Sequence, residues 1–368
     1  MASDYSRASV EIVTPFQHPD VAPMVRRTGT VIHAAEFGEA AEFMLHAYVA
    51  KVSNVAAAPR YPGVLAPDHG LVVQPDPIDQ SQDPAANSFG SIVGAASGKR
   101  VTVAHRPSGE TIKTPVVKTT ASGGYGIFIL DCLVSLHHAL SELGEGVPVL
   151  VPDDLDARRR FLLSLTGVRA DQLVEAPNDR STRLRDCFLV SRVFARDPIL
   201  ELGGRKRNLR FLVDPVYTTS FNRLVARRFH QGLRRRIYIS RADASGRKIN
   251  NERALIESLA RLGFEAHQLV NLKMEQTVEM FANAEIIVTP HGSGASNAMF
   301  APLDTTVIEI DHPRNDFAAF GIARSLGQRY RVFNRLREKQ RDRSDRSDQT
   351  VDIDALCVLI REELERRG

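Results

Sequence analysis

From residue 236 to residue 333 the chain alternates short apolar runs with amphipathic stretches of helical period, and this rhythm restricts its fold more tightly than anything else in the sequence. Strands are predicted over 236–240, 264–270, 285–289, 305–310 and 329–333, with helices over 252–262, 275–284, 293–301 and 316–326 between them. Strand and helix in regular succession make a parallel sheet with its crossovers packed on it, so this part reads as a Rossmann-like domain of α/β class. In the helix over 252–262, Leu255, Ile256, Leu259 and Leu262 recur on the face that would meet the sheet.

A length of 368 residues exceeds what one hydrophobic core usually serves, which makes two domains the expectation. The first, over 1–215, is read as an α/β domain, the second, over 216–340, as the Rossmann-like domain, and 341–368 as a charged tether and closing helix. An interdomain helix is predicted over 216–232. The closing helix carries Ile353, Leu356, Cys357, Ile360 and Leu364 on one side, a stripe that must be covered, and it is expected to pack back on the body, against the first domain. Residues 1–115, rich in Pro, Ala and Gly, offer only brief strand-like runs at 70–74 and 100–104. A glycine turn after residue 122 then opens a helix with Ile129, Leu133, Leu136, Leu140 and Leu143 on one face and Asp131, Ser135, His138 and Glu142 on the opposite stripe. An apolar run at 147–152, a helix over 154–165 and strands at 172–176 and 187–191 continue the βαβ rhythm.

The 48 basic and 44 acidic residues leave a net charge of +4, which favours an anionic ligand and is too small to argue for nucleic acid. Basic clusters such as Arg205, Lys206, Arg207 and Arg234, Arg235, Arg236 read as solvated faces, with no nucleic-acid-binding module beside them. Cys132, Cys187 and Cys357 lie far apart in apolar segments, as small buried hydrophobes rather than disulfide partners or zinc ligands, and point to a reducing compartment. The amino terminus has no signal-like pattern, and no apolar run approaches the ~20 residues that span a bilayer. The expected location is therefore cytoplasmic, with membrane contact only peripheral, through a partner or a lipid substrate.

In open α/β sheets ligands sit beyond the carboxyl ends of the strands. Beyond strand 236–240 come Arg241, Arg247 and Lys248 around a turn at Gly246, and guanidinium forks match phosphate oxygens. The alternative for Arg241 is a loop-fixing pair with Asp243 or Glu252. Beyond strand 285–289, the turn from Thr289 through His291, Gly292, Ser293 and Gly294 to Ala295 leaves backbone N–H groups and a helix start for an anion. Ser293 and Asn297 either reach the same ligand or, in the case of Ser293, cap the helix. Glu309, near the end of its strand, is placed to accept hydrogen bonds from ribose hydroxyls or to pair with neighbouring arginines. Two strand ends suited to a diphosphate point to a nucleotide-activated substrate.

These segments, YISRADASGRKINNE and FANAEIIVTPHGSGASNAMFAPLDTTVIEI, resemble the catalytic domain of the family 61 glycosyltransferases over residues 236–310. The resemblance implies a GT-B-like protein of two Rossmann-like domains facing a central cleft. It implies inverting transfer from a nucleoside-diphosphate-sugar to a glycan or glycan-lipid acceptor, no metal or other cofactor, and a place in capsule or other surface polysaccharide synthesis. It puts Arg241, Arg247, Asn251, Glu252, His291, Gly292 and Glu309 on signature positions. A weaker likeness lies at Tyr125 and Gly126, where the family enters a helix through tyrosine, glycine and histidine; here Ile127 stands in the histidine's place and Asp131 keeps the acidic residue. Inverting transfer needs a base for the acceptor hydroxyl and groups that stabilise the leaving diphosphate. Arg241, Arg247 and the helix start at 292–295 suit the second role; Asp131 and then His138 are candidates for the base, and His291 is a further catalytic candidate.

Two rival readings remain. Asp154 and Asp156, in an acid-x-acid pattern after an apolar strand, are either the Mg²⁺ or Mn²⁺ ligands of a metal-dependent transferase or the capping acids of a helix start. Ile127 motivates a nucleotide-sugar-binding protein without turnover.

Overall fold

The computed structural model describes residues 6–13, 19–33, 42–59, 63–69, 71–73, 100–105, 107–119, 124–178, 180–191, 194–195, 199–202, 205–208, 212–310, 318–334 and 348–367. The protein divides into two compact units, Met1–Val193 and Phe194–Gly368. The division falls ahead of the expected boundary at 215, so the helix expected between domains, found as Pro215–Phe229, belongs to the second unit.

The first unit is built on an 11-stranded mixed sheet. Its parallel part runs Leu173–Ala176, Val149–Pro152, Val116–Lys118, Ser181–Val190, as the βαβ rhythm predicts. Beyond it the 16-residue strand Glu42–Ala57 pairs antiparallel with both Ser181–Val190 and Met24–His33. The expectation of a wholly Rossmann-like first domain is corrected accordingly: antiparallel pairing joins residues that the sequence shows only as scattered alanines and valines. Tyr48, Val52, Val55, Val116, Leu150 and Leu184 fill the core over this sheet.

The helix Tyr125–Leu143 is 19 residues long and apolar enough to cross a membrane by length and composition, against the expectation that no apolar run approaches that length, and 71% of its most apolar 18 residues is buried inside the protein. Phe128–Val134, in its middle, is π-helical. With hydrogen bonds to i+5 the side chains advance less per residue than in an α-helix, so a face drawn at 3.6-residue spacing does not survive the segment. Ser135 and His138, expected on a polar stripe, are 2% and 0% exposed. The Asp131 side chain lies outside the described residues.

The second unit holds a five-stranded parallel sheet in the order Phe264–His267, Arg235–Ile239, Ala284–Pro290, Thr306–Ile310, Arg329–Phe333. Counted along the chain this is 2-1-3-4-5, an order that reverses direction between the first and third strands. Strand interiors such as Ile286, Ile287, Val288, Val307 and Ile308 are fully buried because helices cover both faces. On one face, Leu255 and Leu259 of Glu252–Ala260 and Leu356 and Ile360 of Ile353–Glu365 meet Tyr238, Val288 and Ile308. The closing helix thus covers the sheet of its own unit, correcting the expectation that its stripe packs on the first domain. On the other face Phe221 of Pro215–Phe229 stands edge-to-face with Phe300 at 6.4 Å, and Asn222 Nδ2 donates to the carbonyls of Met299 and Ala301, 2.8 Å each. Of the charged tether, residues 341–347 lie outside the described residues.

Candidate functional site

A doubly wound sheet opens a crevice where its strand order reverses, at the carboxyl ends of the two strands that flank the reversal. Here those strands are Arg235–Ile239 and Ala284–Pro290. Arg241 follows the first and His291 and Gly292 follow the second, and the fold brings the two turns into contact. A Cβ added to Gly292 would fall 2.1 Å from Arg241 Nη1 and 3.0 Å from its Cζ, so the guanidinium lies directly on the glycine. Gly292 has φ 153° and ψ 179°, a conformation essentially confined to glycine, so the residue answers to both backbone and space. At Gly294 a Cβ would press on Leu269 Cδ1 at 3.3 Å and make ordinary contact with Ile239 Cγ2 of the first strand at 3.6 Å.

Arg241 is half-buried. One Nη donates to the Gly246 carbonyl at 3.3 Å, and its Nε is buried with no hydrogen-bond partner among the described residues. Burial, and next the cation of Arg247, lower its hold on the proton, against an opposing pull from Asp243. Arg247 is held at φ 60°, the left-handed region a side chain of this kind seldom occupies, and such strain persists where surroundings enforce it. Two guanidinium groups held close together make a place that an anion relieves. Glu252 holds the start of this loop: its Oε1 accepts from Tyr238 Oη at 2.8 Å and from the Arg241 backbone N at 3.3 Å. That is the expected Arg241 and Glu252 contact, made through the main chain, which leaves the guanidinium for other work.

The remaining candidates divide. Asn251 faces the carboxyl-terminal segment, its amide donating to Val351 O at 2.8 Å and accepting from Val351 N at 3.0 Å. Lys248 is tied there as well through its backbone, its N donating to Asp348 Oδ1 at 2.8 Å. Both residues shape the loop from behind. Ser293 is exposed and is the first residue of the Ser293–Phe300 helix, a 3₁₀ helix whose N-cap position is held by Gly292. Asn297 is fully buried and donates to Gly294 O at 2.8 Å, bracing the turn from inside. Glu309, expected to reach a ribose, turns inward: 4% exposed, it accepts from His291 Nδ1 at 2.7 Å and, on its other oxygen, from the Tyr330 hydroxyl. Thr289 and Glu309 are register partners, so the meeting of His291 with Glu309 follows from pairing two strand ends; Tyr330 carried no signal in the sequence.

In the first unit, Asp156 caps the Ala157–Ser164 helix, accepting from Arg159 N at 2.8 Å, and Asp154 accepts from Asn178 Nδ2. The acid-x-acid pattern is thereby occupied with local structure. His138 is buried, and burial with His137 beside it pulls its pKa down to about 4, so it is neutral in the core. A groove of about 530 Å³ lined by Leu233, Arg234, Arg235, Arg236, Gly263 and Glu265 lies at the opposite, amino-terminal edge of the second sheet. Its charges are matched, with Arg236 on Glu285 at 2.7 Å, Arg234 on Glu285 at 2.9 Å and Arg235 on Glu265. The reversal of strand order, not this groove, marks the site.

Among families of known proteins, the one described as Glycosyltransferase 61 matches residues 125–308. No curated protein matches the chain. The match spans half of the 368 residues and takes in both the Tyr125–Leu143 helix and the turns that carry Arg241 and His291. The chain belongs to glycosyltransferase family 61.

Proposed function

We propose that this glycosyltransferase moves a sugar from a nucleoside-diphosphate-sugar to a glycan or glycan-lipid acceptor with inversion at the anomeric carbon, in the cytoplasm, as a step of surface polysaccharide synthesis. The observation that carries the donor assignment is the seat of the Arg241 guanidinium on Gly292 where the strand order reverses. Charge-assisted hydrogen bonds from Arg241 and Arg247, with the N–H groups of the turn, stabilise a leaving diphosphate more than a bound substrate, because negative charge grows there as the glycosidic bond breaks. On this reading the guanidinium groups do the work a divalent cation does in metal-dependent transferases, so turnover proceeds in EDTA. On this reading the second unit carries the donor and the first the acceptor, with Asp131 the candidate base.

The test is a thermal-shift screen of the full chain against UDP- and GDP-sugars with Mg²⁺ or EDTA, with a CMP-sugar as the single-phosphate control, followed by transfer assays with the stabilising donor. Stabilisation that survives EDTA and is lost in Arg241→Ala supports the assignment; stabilisation only with Mg²⁺ transfers it to a metal-dependent site. Ile127 favours a second reading, donor binding without turnover. Donor hydrolysis or transfer by the unaltered chain eliminates that reading.

A further inference from the structure

Beside the anion site runs a line of side chains that diphosphate binding by the arginines leaves unexplained. The Tyr330 hydroxyl donates to one oxygen of Glu309, and the other oxygen meets His291 Nδ1 at 2.7 Å. The His291 and Glu309 side chains are 7% and 5% exposed. Phe320 stands edge-to-face against Tyr330 with centroids 5.4 Å apart, and the His291 backbone N donates to Ile310 O at 3.1 Å, so both ends of the line are fixed. A carboxylate buried this deeply is tolerated only with full hydrogen bonding, and it recovers that from a phenol and an imidazole. The imidazole in turn carries a proton on Nδ1, and its chemistry is directed to Nε2.

Position decides which chemistry. His291 immediately precedes Gly292, on which Arg241 lies, so it stands on the leaving-group side of the donor. In an inverting displacement the acceptor attacks from the opposite face, where a residue at the diphosphate cannot take its proton. We propose that Glu309 and Tyr330 are positioning residues that hold His291 as an imidazolium whose Nε2–H donates to the departing diphosphate. As the acceptor oxygen bonds to the anomeric carbon, the bond from that carbon to the diphosphate oxygen breaks. Its electron pair stays on that oxygen under the Nε2–H, and the acceptor proton passes to a base or to water on the far face. This inference rests on the diphosphate reading above.

Calorimetry of the full chain with inorganic pyrophosphate, together with ¹⁵N spectra of the histidine side chains assigned through His291→Gln, tests it. In the unaltered protein with pyrophosphate bound, both His291 nitrogens carry protons. Tyr330→Phe, which removes only a hydroxyl, shifts the His291 ¹⁵N resonances and weakens pyrophosphate about 5-fold, the loss of one modest hydrogen bond. Glu309→Gln still accepts from Nδ1 but returns His291 to a single proton and weakens pyrophosphate further. Unchanged His291 resonances and affinity in both variants overturn the relay while the arginine site stands. Failure of the unaltered chain to bind pyrophosphate overturns the diphosphate reading and the relay together.

Discussion

Replacing Gly292 by alanine tests the anion site at its tightest point. The new Cβ falls 2.1 Å from Arg241 Nη1, 3.0 Å from Cζ and 3.7 Å from Nη2. Ordinary contact needs about 3.5 Å, so the guanidinium must retreat by roughly 1.4 Å. Being the far end of a flexible side chain it can do so, and the fold survives the clash. The backbone has no such escape: at φ 153° and ψ 179° an alanine carries about 1–3 kcal/mol of strain. A hydrogen bond to a charged group is worth about 1.5–3 kcal/mol, so an arginine displaced this far weakens a bound diphosphate by about 10- to 150-fold. Calorimetry with pyrophosphate and thermal melts read the two effects separately. Arg241→Ala is the companion, with the same loss of affinity and no backbone strain. Should Gly292→Ala bind pyrophosphate as tightly as the unaltered protein, the contact between the two turns is not what holds the anion; should Arg241→Ala do so as well, the site lies elsewhere.

Other parts of the molecule make their own predictions. Asn251→Ala removes two hydrogen bonds to Val351 and lowers the stability of the second unit by about 1–2 kcal/mol, with faster proteolysis after Arg247 or Lys248 as the sign that the loop has loosened. Lys118 is fully buried, its Nζ donating to Pro59 O at 3.1 Å, and burial lowers its pKa from 10.5 to about 8. Between those values the unfolded chain binds the extra proton, so Lys118 adds about 3 kcal/mol to the first unit as pH rises from 8 to 10.5, opposed above pH 9 by Cys187, whose thiol is pushed up to about 12 by burial. Urea unfolding at pH 7.5 and 10 measures the gain, and Lys118→Met abolishes it. His138 acts in the acid range: with its pKa lowered from 6.5 to about 4, the unfolded chain protonates first and stability falls as pH drops through that window, a loss that His138→Leu removes.

The parallel sheet of the second unit was legible because its central strands, Ala284–Pro290 and Thr306–Ile310, are compact apolar runs set off by turn residues, whereas the short pairs Ile199–Leu202 with Arg205–Asn208 and Phe194–Ala195 with Leu212–Val213 carry no such pattern. Ile286, Ile287 and Val288 announce a strand buried on both sides before any coordinate is known. The first unit was not, since its widest pairings are antiparallel and long-range. Val49 faces Val190, a partner more than a hundred residues away, and no local pattern encodes that distance. The polar stripe of the Tyr125–Leu143 helix was misread because a π-helical stretch changes the angular step on which such stripes are drawn. At the site, Arg241 and Gly292 were readable as strand-end groups. Their direct contact was not, because it depends on which two strands lie side by side. Glu309 was placed at the correct strand end with its side chain aimed the wrong way: outward for a ribose, where the fold turns it inward to His291.

The pairing of residues 348–351 with residues 248–251 ties the arginine-bearing loop to a stretch a hundred positions further along the chain. Synthesis is vectorial, so every other part of the second sheet leaves the ribosome before that brace does, and for an interval the sheet face awaiting Leu356 and Ile360 is bare and wettable. A chain cut before residue 348 therefore loses the brace behind the Lys248–Asn251 stretch and the cover of that sheet face together.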